Sequence, residues 1–208
     1  MYKILEKKER RLGEKLFLKQ DRCFGPKCAT VRRAYAPGVH GRKRRRRREM
    51  SEYGTLLREK QKVRFLYGLD DKELKEYARE ASFSKNAFSA HFFQLLEQRL
   101  DNTLFRLGLA PSRRCARQLV SHGHVVVNTR TLTIPSYQVR VGDVIQVKDR
   151  AKTICWYANP PHFLKEQDIA SWLTREKGAA IGKIIAQAIE EKSDVPLDFT
   201  KVREFYAR

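Results

Sequence analysis

The sequence predicts an α+β fold in two parts: a helical outer part, interrupted by a compact module of two helices packed on a small twisted sheet. Three observations predict it. Apolar residues recur at helical spacing, with capping residues at the joints, between Ser51 and about Gln98. From His124 to Lys148 the pattern becomes strand-like alternation broken by turn residues. Beyond about Ala151 helical spacing returns, so the strand-bearing stretch is inserted rather than appended. The expected division is an N-terminal basic extension over 1–50, a discontinuous helical domain over 51–98 and 151–208, and the inserted module over 99–150.

Residues 1–50 carry Gly13, Gly25-Pro26, Pro37-Gly38 and Gly41 among many cations. They read as turns and loops with at most a short helix, held in shape by something outside themselves. Within them Arg42 to Arg48 is a run of seven consecutive cations. In the whole 208-residue chain 44 Lys and Arg stand against 24 Asp and Glu, a formal net charge of +20. A compact protein of that charge requires a polyanion, and because the excess extends far beyond the run, nucleic acid explains it better than a targeting signal or a disordered arm does. The chain is 41% hydrophobic and 10% aromatic, rich enough to build a core. No stretch approaches 18 uninterrupted apolar residues and the first residues lack the apolar stretch of a secretory signal, so the expectation is a soluble intracellular protein. The cysteines Cys23, Cys28, Cys115 and Cys155 are too scattered for a disulfide framework.

The first helix opens on Ser51 as N-cap, carries Tyr53, Leu56, Leu57, Val63 and Tyr67 near helical spacing, and stops at Gly68. Asp70 with Glu73 forms a capping-box pattern, which Leu69 can staple onto Leu74, so a second helix runs to about Ala81. A third begins after Ser84, with Phe88, Phe92, Leu95 and Leu96 on one face. Over Arg99–Gly108, Leu100, Leu104 and Leu107 make an apolar stripe, while Arg99, Asn102 and Arg106 are expected on the opposite, outward face. The next helix has Ser112 as cap, Ala116, Leu119 and Val120 inward, Arg113, Arg114, Arg117 and Gln118 outward, and Gly123 as its stop. Two short helices thus present adjoining cationic faces.

The chain then turns β through Val125-Val126-Val127, a turn near Asn128-Thr129, the alternation of Tyr137, Val139 and Val141, the Gly142-Asp143 turn, and Ile145 with Val147. At the turn, Asn128 is expected to supply any positive φ. Finally Ile181, Ile184, Ile185, Ala188 and Ile189 predict a helix over Ile181–Glu191. Trp156, Trp172 and the pair Phe205-Tyr206 are read as packing residues rather than base-stacking ones. His122 and His124, with no carboxylate or thiol partner nearby, are read as RNA contacts or helix-end groups.

The segment Arg99-Leu100-Asp101-Asn102 through Arg113-Arg114, Ala116 to His124 and Val127-Asn128 resembles the RNA-binding module named after ribosomal protein S4. Arg22-Cys23-Phe24-Gly25-Pro26-Lys27-Cys28, Pro37 to Gly41, Leu57 to Lys62 with Tyr67-Gly68, and Glu204 to Arg208 resemble the bacterial-type S4 family of the small ribosomal subunit over nearly the full length. The resemblance implies a primary binder of small-subunit rRNA that grips a junction in the 5′ domain and nucleates assembly of the subunit body in the cytoplasm, without catalysis. It implies ribosomal proteins S5 and S3 as neighbours and mRNA at the entry channel, and neither a membrane nor a second copy of the chain as partner. Contacts to rRNA are then expected from Arg99, Asn102, Arg106, Arg113, Arg114, Arg117, Gln118, His122 and His124 in the module. Arg22, Lys27, Arg32, Arg33, His40, Arg58, Lys60 and Lys62 are the counterparts outside it. Arg44, Arg45, Arg46 and Arg47 are expected at the mRNA entry.

Many members of that family hold a structural zinc by a Cys-x2-Cys pair followed by a second pair. Cys23 and Cys28 match the second pair, but Glu6 and Glu9 stand where the first belongs, a poor tetrahedral set, so no cofactor is expected. The tripeptide Arg99-Leu100-Asp101 also occurs at the catalytic aspartate of pseudouridine synthases, some of which carry this module. Inside an amphipathic helix of the module, Asp101 reads as structural. An RNA-modifying enzyme would need a further catalytic domain, and a free RNA chaperone would not need the N-terminal segments.

Overall fold

A computed structural model describes residues 3–19, 21–41, 50–84, 87–152, 169–176, 180–189 and 195–207. The chain divides into two compact units, Met1–Ser89 with Ser193–Arg208, and Ala90–Lys192. The outer unit is discontinuous in sequence. The inserted unit begins before Arg99 and ends well after Ala151, and the basic extension belongs to the outer unit instead of standing apart.

In the outer unit, helices α1 (Lys3–Leu12), α2 (Asp21–Phe24) and α3 (Ala29–Arg32) precede α4 (Glu52–Tyr67) and α5 (Asp71–Phe83). A ten-residue α1 exceeds the short helix that the glycines and prolines suggested. The capping signals act as read. Ser51 Oγ accepts from Gly54 N at 3.2 Å, and Gly68 closes α4 at φ 66°, a left-handed conformation that favours glycine. Asp70 and Glu73 form the reciprocal capping box of α5. The last helix of the chain packs on both α4 and α5, burying Leu56, Val63, Leu74, Ala78, Phe199 and Val202. Each Leu, Val and Phe among them contributes about 1.5–3 kcal/mol by leaving water, and Ala78 less.

Next come α6 (Phe88–Glu97), which spans the boundary between the units, and α7 (Leu100–Arg106), α8 (Arg113–Ser121), β1 (Val125–Val127), β2 (Arg130–Leu132) and β3 (Val144–Val147). After α9 (Asp149–Lys152) the described chain resumes with β4 (Leu173–Arg175) and β5 (Ile181–Ile184), and α10 (Phe199–Ala207) closes it. The five strands form one antiparallel sheet in the order β2-β1-β3-β5-β4. Val125, Val127, Ile145 and Val147 are buried, as is Trp172.

Three local readings are corrected here. Ile181–Ile184 is a strand, not the start of a helix, because it pairs with β3 and β4 in an alternating pattern that buries Gly182 and Ile184. A Cβ at Gly182 would lie 2.6 Å from the methyls of Leu107, the buried C-cap residue of α7, so a side chain there would force Leu107 to move. Residues 185–189 of that expected helix are irregular chain, and Glu190 and Glu191 lie outside the described residues. Tyr137–Val141 makes an isolated bridge, Arg99 to Gln138, instead of a strand. In the β1–β2 turn, Thr129 as well as Asn128 has positive φ, 79° and 47°. A two-residue hairpin matching the strand twist requires that at both positions, and the register Val127↔Arg130 makes this such a hairpin.

Candidate nucleic-acid interface

The apolar stripe of α7 turns Leu100, Leu104 and Leu107 inward, but its polar residues do not all face out. Arg99 is 1% exposed and Asn102 is 1% exposed. Arg99 forks onto Asp101, with Nε to Oδ1 and Nη2 to Oδ2 both at 3.1 Å. Asn102 donates through Nδ2 to the Glu97 carbonyl at 3.0 Å and to Glu97 Oε2 at 2.9 Å. The expectation that Arg99 and Asn102 reach outward is therefore corrected. Glu97 and Asp101 are two buried carboxylates whose charges require partners nearby, and these two residues help supply them.

The same carboxylates reach the cations that do approach the surface. Arg106 clamps Glu97 through Nε at 2.8 Å and Nη2 at 3.1 Å. Arg117 Nε meets Asp101 Oδ2 at 3.0 Å, and Arg113 Nε donates to Asn102 Oδ1 at 2.7 Å while its guanidinium lies 4.5 Å from the Phe105 ring centre. The side chains of Arg106 and Arg117 stay 28% and 33% exposed. Three guanidinium planes are thus fixed from beneath, which lowers the ordering cost of meeting a phosphate. Beside them Arg114 and Gln118 are exposed on α8, His122 is exposed at its C-cap, and His124 is half-buried with its ring 6.1 Å from that of His122. Sequence reading singled out these cations but did not single out Glu97. An acid nine residues before an arginine gives no helical-face signal, and only the α6–α7 junction brings them together. Asp101, saturated by Arg99, Arg117 and the Asn102 amide, is structural, as read.

The outer unit departs further from expectation. Lys60 is buried against Asp71 at 2.7 Å, and Lys62 is buried between Glu14 at 2.7 Å and Glu59 at 2.8 Å. Burial works against the Lys62 charge, yet Glu14 and Glu59 hold its ammonium above the ordinary lysine range. Arg58 shares Glu14 at 2.8 Å. Arg58 and Lys62 tie the turn after α1 to α4 through Glu14, whereas Lys60 ties α4 to α5, so the N-terminal segment is held by its own ion pairs. Lys27, Arg32, Arg33 and His40 are exposed. Arg10 Nε braces their loop by donating to the carbonyls of Arg33 at 3.0 Å and Tyr35 at 3.1 Å. Arg22 sits on α2, its side chain outside what is described, and Arg44–Arg47 lie outside the described residues.

The proposed zinc positions are occupied by other interactions. Glu9 is buried and its Oε1 accepts from the amides of Leu16 at 3.2 Å and Leu18 at 3.1 Å, while Glu6 pairs with Lys19 at 3.0 Å. Cys28 Sγ lies 2.8 Å from Thr30 Oγ1, and although burial works against its charge, the Thr30 hydrogen bonds help hold that thiol below the ordinary range, while burial pushes the Cys23 thiol up to about 11. These residues do not fit zinc. Among the described residues no three His, Cys, Asp or Glu side chains gather as metal ligands. No helix among them is long and apolar enough to cross a membrane.

Residues 4–97 match the family described as Ribosomal protein S4/S9 N-terminal domain, and residues 98–145 match the S4 domain. The chain is 45% identical over 199 residues to a Small ribosomal subunit protein uS4 of Halothermothrix orenii, which covers 96% of this chain and 94% of that protein. It is 43% identical to that of Thermus thermophilus over the same shares, and 45% identical over 201 residues to that of Desulfitobacterium hafniense, again covering 96% and 94%.

Proposed function

Because this chain belongs to the uS4 family of ribosomal proteins, we infer that it is a structural, rRNA-binding constituent of the small ribosomal subunit, working in the cytoplasm and catalysing no reaction. The observation that carries the reading is the row of guanidinium groups on α7 and α8 fixed by the buried Glu97 and Asp101. Rigid arginine forks on two short helices suit a folded RNA, which is recognised by its shape and phosphate positions.

The finer reading is a grip on a multi-helix junction of the 5′ domain that nucleates assembly of the subunit body. Arg113, Arg114, Arg117, Gln118 and His122 meet phosphates in it, with Arg106 and His124 at the margin and Lys27, Arg32, Arg33 and His40 as a second contact area. Lys60 and Lys62 act as packing charges. Ribosomal proteins S5 and S3 are the protein neighbours, and Arg44 to Arg47 hold incoming mRNA by its phosphates at the entry channel. The chain carries no zinc, since its two carboxylates and two thiols are already engaged. The test is co-sedimentation of the chain with the small subunit through a high-salt wash, with binding to a 5′-domain transcript measured across salt. Loss at modest salt, together with no preference for that transcript over unrelated RNA, would overturn the reading.

A further inference from the structure

Away from α7 and α8, the outer unit has a groove of about 410 Å³ between α5 and α10. On α5 the lining residues Lys75, Arg79 and Phe83 fall four apart, on one stripe of the helix, and on α10 Arg203 and Tyr206 are three apart. Phe88 is part of the lining. Phe83 is 78% exposed, an unusual position for a large aromatic ring with a groove beside it. Arg79 lies 5.8 Å from the Phe83 ring centre, and Arg203 lies 5.8 Å from that of Phe88. The lining contains three cations and no acid, because Glu76 and Glu80 of α5 and Glu204 of α10 fall on other faces.

We propose that this groove takes a single-stranded RNA segment, with an unpaired base stacked on Phe83 and flanking phosphates held by Lys75, Arg79 and Arg203. An exposed flat ring bordered by cations offers both surfaces that a single strand presents in alternation, base face and phosphate. A duplex has its bases stacked on one another and no free face for Phe83. An acidic protein segment would match the charge but leave the exposed ring without a counterpart. The inference rests on the rRNA-binding reading and adds a second, stacking contact to it.

The full chain is tested on a 5′-domain rRNA transcript, with affinity measured across salt and chemical probing at nucleotide resolution. Phe83→Ala weakens binding about 5- to 150-fold, the range for one base on an aromatic platform, and exposes one unpaired nucleotide to the probe. Phe83→Tyr keeps the affinity; Phe83→Leu, equally apolar but not flat, loses it. Arg79→Ala with Arg203→Ala flattens the log–log salt dependence by about 0.7 for each phosphate no longer held. Phe83 is exposed, so a thermal melt shared with the wild type shows that these variants fold. Wild-type binding by Phe83→Leu or by the double arginine variant overturns the proposal. If these bind normally while Arg114→Ala still weakens binding, the groove fails and rRNA binding stands. If the groove variants bind rRNA normally but drop out of assembled subunits, the occupant is a protein and the proposal is wrong. Failure of the wild type to prefer the transcript removes the reading beneath it as well.

Discussion

Helices α7 and α8 lie against each other and are both short, with apolar residues on one side and arginines within or next to them, yet they use their polar residues in opposite ways. On α7 the cap residue Arg99 and the helical residue Asn102 are buried in a lattice with Glu97 and Asp101. On α8 Arg114 and Gln118 are exposed, and Arg113 and Arg117 turn their Nε inward to Asn102 and Asp101 while staying part-exposed. Cation density alone therefore does not mark an interface. What separates anchor from contact is whether the guanidinium is buried together with its carboxylate, as Arg99 is, or stays partly exposed above it, as Arg106 and Arg117 do, and tertiary structure sets that.

The largest effect expected from that contrast is on stability. Asp101→Ala leaves Arg99 buried without its bidentate partner and should cost about 3–5 kcal/mol in chemical denaturation. Arg114→Ala should stay within about 0.5 kcal/mol of the wild type. Equal losses for both would break the distinction between the helices. The converse experiment changes Arg114, Gln118 and His122 to Ala together. Affinity for the rRNA transcript should fall, and the salt slope should flatten by about 0.7 to 0.9 for each phosphate released, with the melt unchanged. Arg106→Ala and Arg117→Ala sharpen the comparison, since both should lower affinity and stability together.

How much of this was legible follows the same division. Ser51, Gly68, Asp70 with Glu73, and Ser112 announced helix ends through local chemistry, and the structure uses each of them. The strand Ile181–Ile184 was hidden because its apolar residues also satisfy a helical period, and the decisive fact, Gly182 under Leu107, is a contact across 75 residues of sequence. Lys60 and Lys62 read as surface cations because Asp71 and Glu14 reach them only through the packing of α4, while Glu59 is a local partner of Lys62 three residues earlier on the same helix. The candidate interface was legible on α8, where an outward face is also an exposed one, and misleading on α7, where it is not.

A smaller effect comes from the β1–β2 turn. Thr129 is β-branched at φ 79°, so Thr129→Gly should stabilise the protein by about 1–2 kcal/mol, read as a raised melting temperature. The smallest effect is on pH. Burial raises the Cys23 thiol to about 11 in the folded chain, from 9.0 without that burial. The folded state thus holds this proton more tightly than the unfolded state does. The associated stability is complete below about pH 9 and is lost as pH rises toward 11. Cys23→Ser should remove that alkaline decline, and at pH 8 Cys23 should be alkylated far more slowly than the half-buried Cys115.

The outer unit is closed by α10, which packs on α4 and α5 although more than a hundred residues of sequence separate them. During synthesis every residue of Ala90–Lys192 is made before Phe199, so the inserted unit can fold while the unit that encloses it in sequence still lacks a wall. Phe199 and Val202, which α10 buries in that packing, are the last residues of this core to be made. The arginines of α7 and α8 can thus be fixed on Glu97 and Asp101 before the outer unit is complete.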